Sequence, residues 1–301
     1  MSKPKLMLVV NPVSGKLKGL ANLDALTAAL EQTYAVDVYK TAARGDGTTL
    51  TRTHIAAYDA VAGCGGDGTL NEILLALQEL PAEQRKPVIC IPAGTTNLLG
   101  DTLGLPRNVV AAAEAGAKGA EHDFDLGRMN EHCFGSVVAF GAFTDTSYAM
   151  SQKVKNRLGY GAYVLGGAKS LFRLRSYPVT VTVNGQTYTD RFIFGGISNC
   201  VAVGGIIRFA DGTVQVGDGK YEVILVRRLR TPAAMWRAIK AVCKHKYDDV
   251  PEIICCQADE VHIEAQAPMP WTLDGEREDG HTKIRIENAH LALRVIRGEL
   301  I

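Results

Sequence analysis

The sequence predicts two domains. Residues 1–122 read as an α/β N-terminal domain with a parallel sheet and flanking helices, and residues 123–301 as a mainly antiparallel β-sandwich or flattened barrel. Three observations predict this. Short apolar runs alternate with helix-periodic stretches in the first part, the rhythm of strands joined by helical crossovers. After about residue 122 the pattern turns to short strands separated by turn residues. Finally, 301 residues that are 47% hydrophobic exceed what one core usually serves.

In the first domain "KLMLVV" (5–10) is a short buried strand and "NPVSGK" a glycine-containing loop. "LANLDALTAALEQ" follows as a helix and "AVDVYK" as a second strand. Another helix leads to the strand "DAVAGC", the loop "GGDG", the helix "TLNEILLALQEL" and the strand "PVICIP". In the second domain "HDFDLGRMNEHCFGSVVAF" is strand-like around a polar turn. "VTVNGQTYTD" is a hairpin about Asn184-Gly185, the strongest short hairpin signal. "YEVILV", "EIICC", "EVHIEA", "TKIRIE" and "LALRVI" are further strands, and two helices interrupt them at roughly 151–174 and 232–244. The C-terminal residues are free to pack back on the first domain.

Composition excludes several classes. Seven cysteines, an odd number with no CxxC pair, suit neither a disulfide framework nor a zinc site, and they read as reduced thiols of a cytoplasmic protein. The first apolar run ends in Asn-Pro after five residues, too short for a signal peptide, and nothing approaches a membrane span. The expectation is a soluble chain. The seven histidines form no HExxH spacing, and His122 and His132 beside "FDLG" read as structural. No G-x-S-x-G elbow is present.

Net charge is +1 but unevenly spread: residues 151–246 hold 16 Lys and Arg against 4 Asp and Glu. Such asymmetry points to an anionic partner. The basic residues are interleaved with apolar stretches and accompany no nucleic-acid motif, so nucleic acid is not the expected partner.

Residues 63–68 satisfy G-x-G-x-x-G, but they follow the third strand rather than the first, and the next strand ends without an acid. Dinucleotide binding of the Rossmann kind is thereby rejected. "NPVSGKLK" likewise lacks the spacing of a Walker loop. What survives is physical. "NPVSG", "GGDG" and "PAGTTN" each lie where a strand ends, and such carboxyl ends line one crevice of an open sheet. Their unpaired N–H groups and small residues admit a polyanion, so three converging loops suggest a triphosphate. Asp67 among phosphates is useful mainly through a divalent cation.

"GGDGTLNE", with "NPVSGK" upstream and "PAGTTN" downstream, resembles the diacylglycerol kinase catalytic family, which includes bacterial lipid kinases and sphingosine and ceramide kinases. "FDLGRMN", "GDGKYEVILV" and "LDGE" resemble that family's later motifs in the right order. The resemblance implies an ATP- and Mg2+-dependent lipid kinase, acting on diacylglycerol or a related membrane lipid alcohol. It implies nucleotide-binding roles for Asn11, Pro12, Val13, Ser14, Gly15, Lys16, Thr41, Gly66, Asp67, Gly68, Thr69, Asn71, Glu72 and Thr95. Asp67 would belong to the catalytic magnesium network, with Asp125 reaching it through water, and Glu276 would be the general base. Asp218, with the carbonyls of Gln215 and Lys220, would hold a second, structural magnesium. By themselves, Asp274-Gly275-Glu276 and Asp218 read more readily as turn residues than as functional ones.

Two departures stand out. Many members carry an acid directly after the asparagine of "GTTN", where this chain has Leu98; Asp101 falls a helical turn later. The family's "GN" plus aromatic-glycine stretch is altered to "SNCVAVGG". Two rival readings follow: an NAD kinase-like activity, since that family also has GGDGT, and a catalytically silent lipid- or nucleotide-binding regulator. The segments "KVKNRLGYGAYVLGGAKSLFRLRS" and "RRLRTPAAMWRAIKAVCKHK" mix basic and aromatic residues, which suits transient docking on an anionic membrane and a peripheral location. An exposed sheet edge in the β half offers a route to a homodimer.

Overall fold

The structure is a computed structural model that describes residues 2–15, 22–142, 174–203, 207–210 and 212–298. Its parallel core has β1 (Lys5–Val10) between β2 (Ala35–Lys40) and β3 (Ala60–Gly65), with β4 (Val88–Pro92) beyond β3. β1 is apolar on both faces because both are covered. Leu6, Leu8 and Val10 pack with Leu26 and Leu30 of α1 (Leu23–Glu31) and Ala112 and Ala113 of α5 (Val109–Lys118). Met7 and Val9 pack with Leu70, Ile73 and Leu77 of α3 (Asp67–Gln78). Period two in the strand thus meets helices above and below. α1 and α3 thus pack on opposite faces of the sheet, so the ends of β1 and β3 form a switch point, where ligands of open α/β sheets bind.

α2 (Asp46–His54) lies between β2 and β3, and α4 (Leu98–Thr102) follows β4. The sequence predicts only a helix or turn where α4 begins, after "PAGTTN", and no helix over α5. α5 carries a local start signal, since Asn108 Oδ1 accepts from Val110 N at 2.9 Å and Ala111 N at 3.1 Å.

The second half is antiparallel. It contains β5 (Ala120–Met129), β6 (His132–Phe134), β7 (Val137–Gly141), β8 (Tyr177–Val183) and β9 (Gln186–Ser198). After the short pair β10 (Ala202–Val203) and β11 (Ile207–Arg208) come β12 (Tyr221–Arg227), α6 (Pro232–Lys244), β13 (Ile253–Ala258), β14 (Glu260–Leu273) and β15 (Glu276–Arg297). Phe134, Phe140, Phe192, Tyr221 and Trp271 fill the sandwich interior. The β8–β9 hairpin turns on Asn184 (φ 49°) and Gly185 (φ 73°). α6 occupies the span expected for the second helix, while residues 151–173 of the first expected helix lie outside the described residues.

One expectation is corrected. "TKIRIE" and "LALRVI" are not two strands but parts of the 22-residue β15. Its register on β5 shifts between Ala289 and Leu293, where Leu291 has φ 52°, so the bulge bends the strand without ending it. The early part of β15 pairs with β14, and its end runs parallel to β4 (Val295 opposite Val88). β15 thereby welds the halves into one sheet, 13-stranded among the described residues. Among the described residues no helix is long and apolar enough to cross a membrane.

Candidate active site

The three loops converge. Asn11 donates from Nδ2 to Thr69 Oγ1 at 3.1 Å, and its Oδ1 accepts from Val13 N at 3.1 Å. One residue thus shapes the first loop and ties it to α3. Ser14 N closes the turn onto Asn11 O at 3.2 Å, while Pro12 is half-buried and Val13 is exposed. Gly15 lies beside Thr95, since a Cβ there would come within 3.7 Å of Thr95 Oγ1. Lys16 lies outside the described residues. Gly66 and Gly94 meet backbone to backbone, for a Cβ on Gly94 would sit 2.6 Å from Gly66 Cα. Only glycine permits that approach. Thr41, at the end of β2, is buried and bonds Val10 O through its amide at 2.9 Å.

Gly66 caps α3, and Asp67 and Gly68 are its first residues. Asp67 Oδ1 accepts from Leu99 N at 3.1 Å, so the carboxylate bridges the starts of α3 and α4, where helix dipoles favour negative charge. Leu98, at the position of the family's second acid, therefore opens a helix whose Leu99 N–H meets Asp67. Asp101 does not substitute for that acid: its oxygens lie 2.8 and 3.1 Å from Arg107 Nη2. Glu72, expected among the nucleotide-binding positions, lies against the start of α2. Both its oxygens accept from α2, at 2.9 Å from Gly45 N and 2.9 Å from Gly47 N, so it fixes the loop after β2.

The "LDGE" turn reaches this crevice from the other domain. Asp274 (φ 50°) and Gly275 (φ 89°) link β14 to β15 in left-handed backbone that Asp tolerates and Gly favours. The Asp274 carboxylate accepts from Gly135 N at 2.7 Å and from Ser136 N and Val137 N at 2.8 Å each. Burial raises its pKa, while these amides and a bond from the Asn71 side chain oppose the rise. Asn71 of α3 thereby joins the glycine-loop helix to the late acidic turn. Glu276, two residues on, forms an ion pair with Arg44 of the loop after β2, and both side chains are exposed. Cys200 lies between the two regions. Burial pushes its thiol up to about 12, and the charges of Asp274 and Asp67 add to the effect.

Asp125 is in a different setting. It is fully buried, and its oxygens accept from Gly219 N (2.7 Å), Leu291 N (2.8 Å) and Asn288 Nδ2 (3.3 Å) and lie 3.0 Å from His290 Nδ1. The sequence reading directed Asp125 toward the Asp67 network; here it braces the "GDGK" loop against the β15 bulge. Asp218, Gln215 and Lys220 are exposed on that loop, and Lys220 N donates to Asp218 Oδ1 at 3.0 Å. Beneath it, Glu222 is 3% exposed. Its Oε1 accepts from Gln257 Nε2 at 3.0 Å, while Oε2 has no partner.

Among the described residues no three His, Cys, Asp or Glu side chains cluster to hold a metal. Magnesium seldom uses such a cage; it takes one or two carboxylates, waters and substrate phosphates. The donor set fits that habit. Buried amide oxygens of Asn71 and Asn97 have no donor among the described residues; Asn71 bonds Asp274 through its side chain, and Asn97 caps α4, whose Leu99 N meets Asp67, while the similarly bare oxygens of Asn199 and Asn288 belong to the setting of Asp125. These hard oxygens suit a divalent cation and its water. The contacts of Arg44, Asn71, Asn199 and His290 carried no signal in the sequence, because each joins segments far apart in the chain.

Comparison with known proteins agrees with this geometry. Residues 5–129 match the model of the diacylglycerol kinase catalytic domain, and residues 136–297 that of the YegS C-terminal NAD kinase beta sandwich-like domain. Diacylglycerol kinase of Bacillus subtilis (strain 168) is 27% identical over 272 residues, covering 89% of this chain and 88% of that protein. Diacylglycerol kinase of Staphylococcus carnosus (strain TM300) is 28% identical over 273 residues, covering 89% and 87%. The crystal structure of a diacylglycerol kinase candidate from Bacillus anthracis str. Sterne superposes with a TM-score of 0.83 at 26% identity, covering 100% of both chains. Two domain matches in order, on a sheet that brings their motifs to one crevice, lead to one conclusion: the chain belongs to the diacylglycerol kinase catalytic-domain family and is a lipid kinase.

Proposed function

We propose that this lipid kinase transfers the γ-phosphoryl group of ATP to a hydroxyl of diacylglycerol or a related membrane lipid alcohol, with Mg2+ as its metal. The kinase family itself implies ATP as phosphoryl donor. The observation that carries the reading is the Asp274–Gly275 turn. Asp274 is anchored by three amides and by Asn71, so the next acid, Glu276, stands against Arg44 at the mouth of the crevice. Two neighbouring carboxylates thereby divide the work: one fixes the turn, and the exposed one remains accessible to a substrate hydroxyl.

In the proposed reaction the loops at 11–15, 66–69 and 94–97 receive the polyphosphate through backbone N–H groups and the start of α3. Glu276 takes the proton of the lipid hydroxyl as its oxygen bonds to the γ-phosphorus, and the bond to the leaving ADP oxygen breaks. Such proton transfer is typically worth about 10² to 10⁴-fold. Asp67, with the free amide oxygens of Asn71 and Asn97, would hold Mg2+. When bound, the ion supplies neutralisation of phosphate charge.

A second reading has one observation behind it, the NAD kinase-like description of the matched C-terminal domain. Incubation with ATP labelled on its terminal phosphate, Mg2+, and either mixed lipid micelles or NAD separates the two. Label entering diacylglycerol or another lipid supports the proposal. Label entering NAD alone overturns it.

A further inference from the structure

The described residues hold one tryptophan in solvent. Trp271 is fully buried, whereas Trp236 on α6 is 52% exposed. α6 is sharply two-faced. Ala234, Met235, Ala238 and Ala241 are buried, and its apolar face packs with Val203, Ile207, Phe209 and Val226. The opposite stripe, at helical spacing, is Ala233, Trp236, Arg237, Lys240, Cys243 and Lys244, all exposed. It contains three bases, one indole and no acid. Arg230 and Lys246 extend the exposed positive charge at either end. The acids nearby are Glu252, paired with Arg237, Asp190 near Arg230, and exposed Asp248 and Asp249 beyond the helix. The layer under α6 also leads to the crevice, because Val201 N, just before β10, donates to Thr102 Oγ1 of α4 at 3.2 Å.

An indole half out of water beside lysines has both characters of an interfacial anchor, an apolar body with a polar edge and cations for anionic headgroups. We propose that the solvent stripe of α6 docks on an anionic phospholipid bilayer, with Trp236 entering the headgroup layer and Lys240 and Lys244 holding its charge. A second copy of the chain is disfavoured as occupant, since two such stripes would repel. The inference deepens the lipid-kinase reading by naming where the substrate-bearing surface is met, and it is tested without turnover.

The two tryptophans give the readout, because Trp271 is already dry and its emission serves as the constant background. On mixed phosphatidylglycerol–phosphatidylcholine vesicles the emission of the nucleotide-free protein should move to shorter wavelength, and salt should reverse the shift. Neutral phosphatidylcholine vesicles should give little shift. Trp236→Phe should abolish the shift while keeping most of the sedimentation with vesicles. Lys240→Glu with Lys244→Glu should weaken vesicle binding by about tenfold or more. All three positions are exposed, so the fold should persist, as unchanged Trp271 emission would report. Vesicle binding without a shift, binding indifferent to the charge reversals, or association only with duplex DNA or with a second copy overturns the proposal. None of these outcomes touches the kinase assay, so the two readings fail separately.

Discussion

The guanidinium of Arg44, on the loop after β2, pairs with the carboxylate of Glu276 at the first position of β15. Both ends of this contact are held from behind. Asp46 accepts from Ala42 N at 2.6 Å and Ala43 N at 2.8 Å, and Glu72 accepts from Gly45 N and Gly47 N, so Arg44 projects from a fixed loop. Opposite, Asp274 fixes the turn that presents Glu276. The pair marks where the late acidic motif meets the first domain. Being exposed, it contributes only about 0–1 kcal/mol. Arg44→Ala should therefore leave the melting temperature nearly unchanged, whereas Glu276→Gln should lower turnover by about 10²-fold or more with ATP binding retained. Calorimetry on the first and paired kinase and nucleotide-titration assays on the second check this; full activity of Glu276→Gln would mean the base is elsewhere.

Asp274→Ala should be far more disruptive than its neighbour's replacement. It leaves the amides of Gly135, Ser136 and Val137 without their shared acceptor and puts alanine in left-handed backbone. A loss of about 3 kcal/mol or more is expected, read by urea denaturation, along with a fall in turnover as Glu276 loses its support. Asp274→Asn, which keeps an acceptor and tolerates the backbone, should recover much of the stability.

Gly94→Ala tests the convergence of the loops. The added Cβ meets Gly66 Cα at 2.6 Å, so the second and third loops must part. ATP affinity should fall by about tenfold or more, since a small displacement of positioning groups is costly. A fluorescent nucleotide titration returning wild-type affinity would show that these loops do not hold the phosphates.

Glu222 links stability to pH. Burial pushes its carboxyl from 4.5 up to about 7; Gln257 opposes the rise and Asp218 adds to it. An acid with a raised folded pKa favours the fold when protonated. Its penalty is absent below about 4.5 and grows as pH rises to about 7, reaching about 3 kcal/mol. In EDTA, Glu222→Gln should melt a few degrees above the parent at pH 8, and the gap should close as pH falls toward 4.5. A gap independent of pH would remove Glu222 as its source.

The "GDGK" loop predicts a response to metal. If Asp218 binds a structural cation there, chelation lowers the melting temperature of the parent protein and has little effect on Asp218→Asn. Equal effects on both would exclude Asp218 as a ligand.

Much of this molecule was local enough to read directly. β1, β3 and β4 show as apolar runs because both faces of a parallel sheet are covered there, and α6 shows as a helical pattern over the span it occupies. Asn184-Gly185 and Asp274-Gly275 are turns whose residue types answer to their own backbone angles. The three loops after β1, β3 and β4 were legible for the same reason, since their close approach needs small residues. Asp125 was legible as important but not in its contacts, which come from Gly219, Asn288, His290 and Leu291. "TKIRIE" and "LALRVI" looked like two strands because residue spacing does not show a bulge that keeps its partner.

The order of elements, the loops and the family were thus set by residue types at short spacing, where local backbone and burial preferences act. Only tertiary structure decided that β15 joins the halves, that Glu72 braces α2, and that Arg44 and Asn71 face Glu276 and Asp274. Those contacts depend on how one sheet brings distant segments together, and packing across the chain, not spacing along it, fixes that distance.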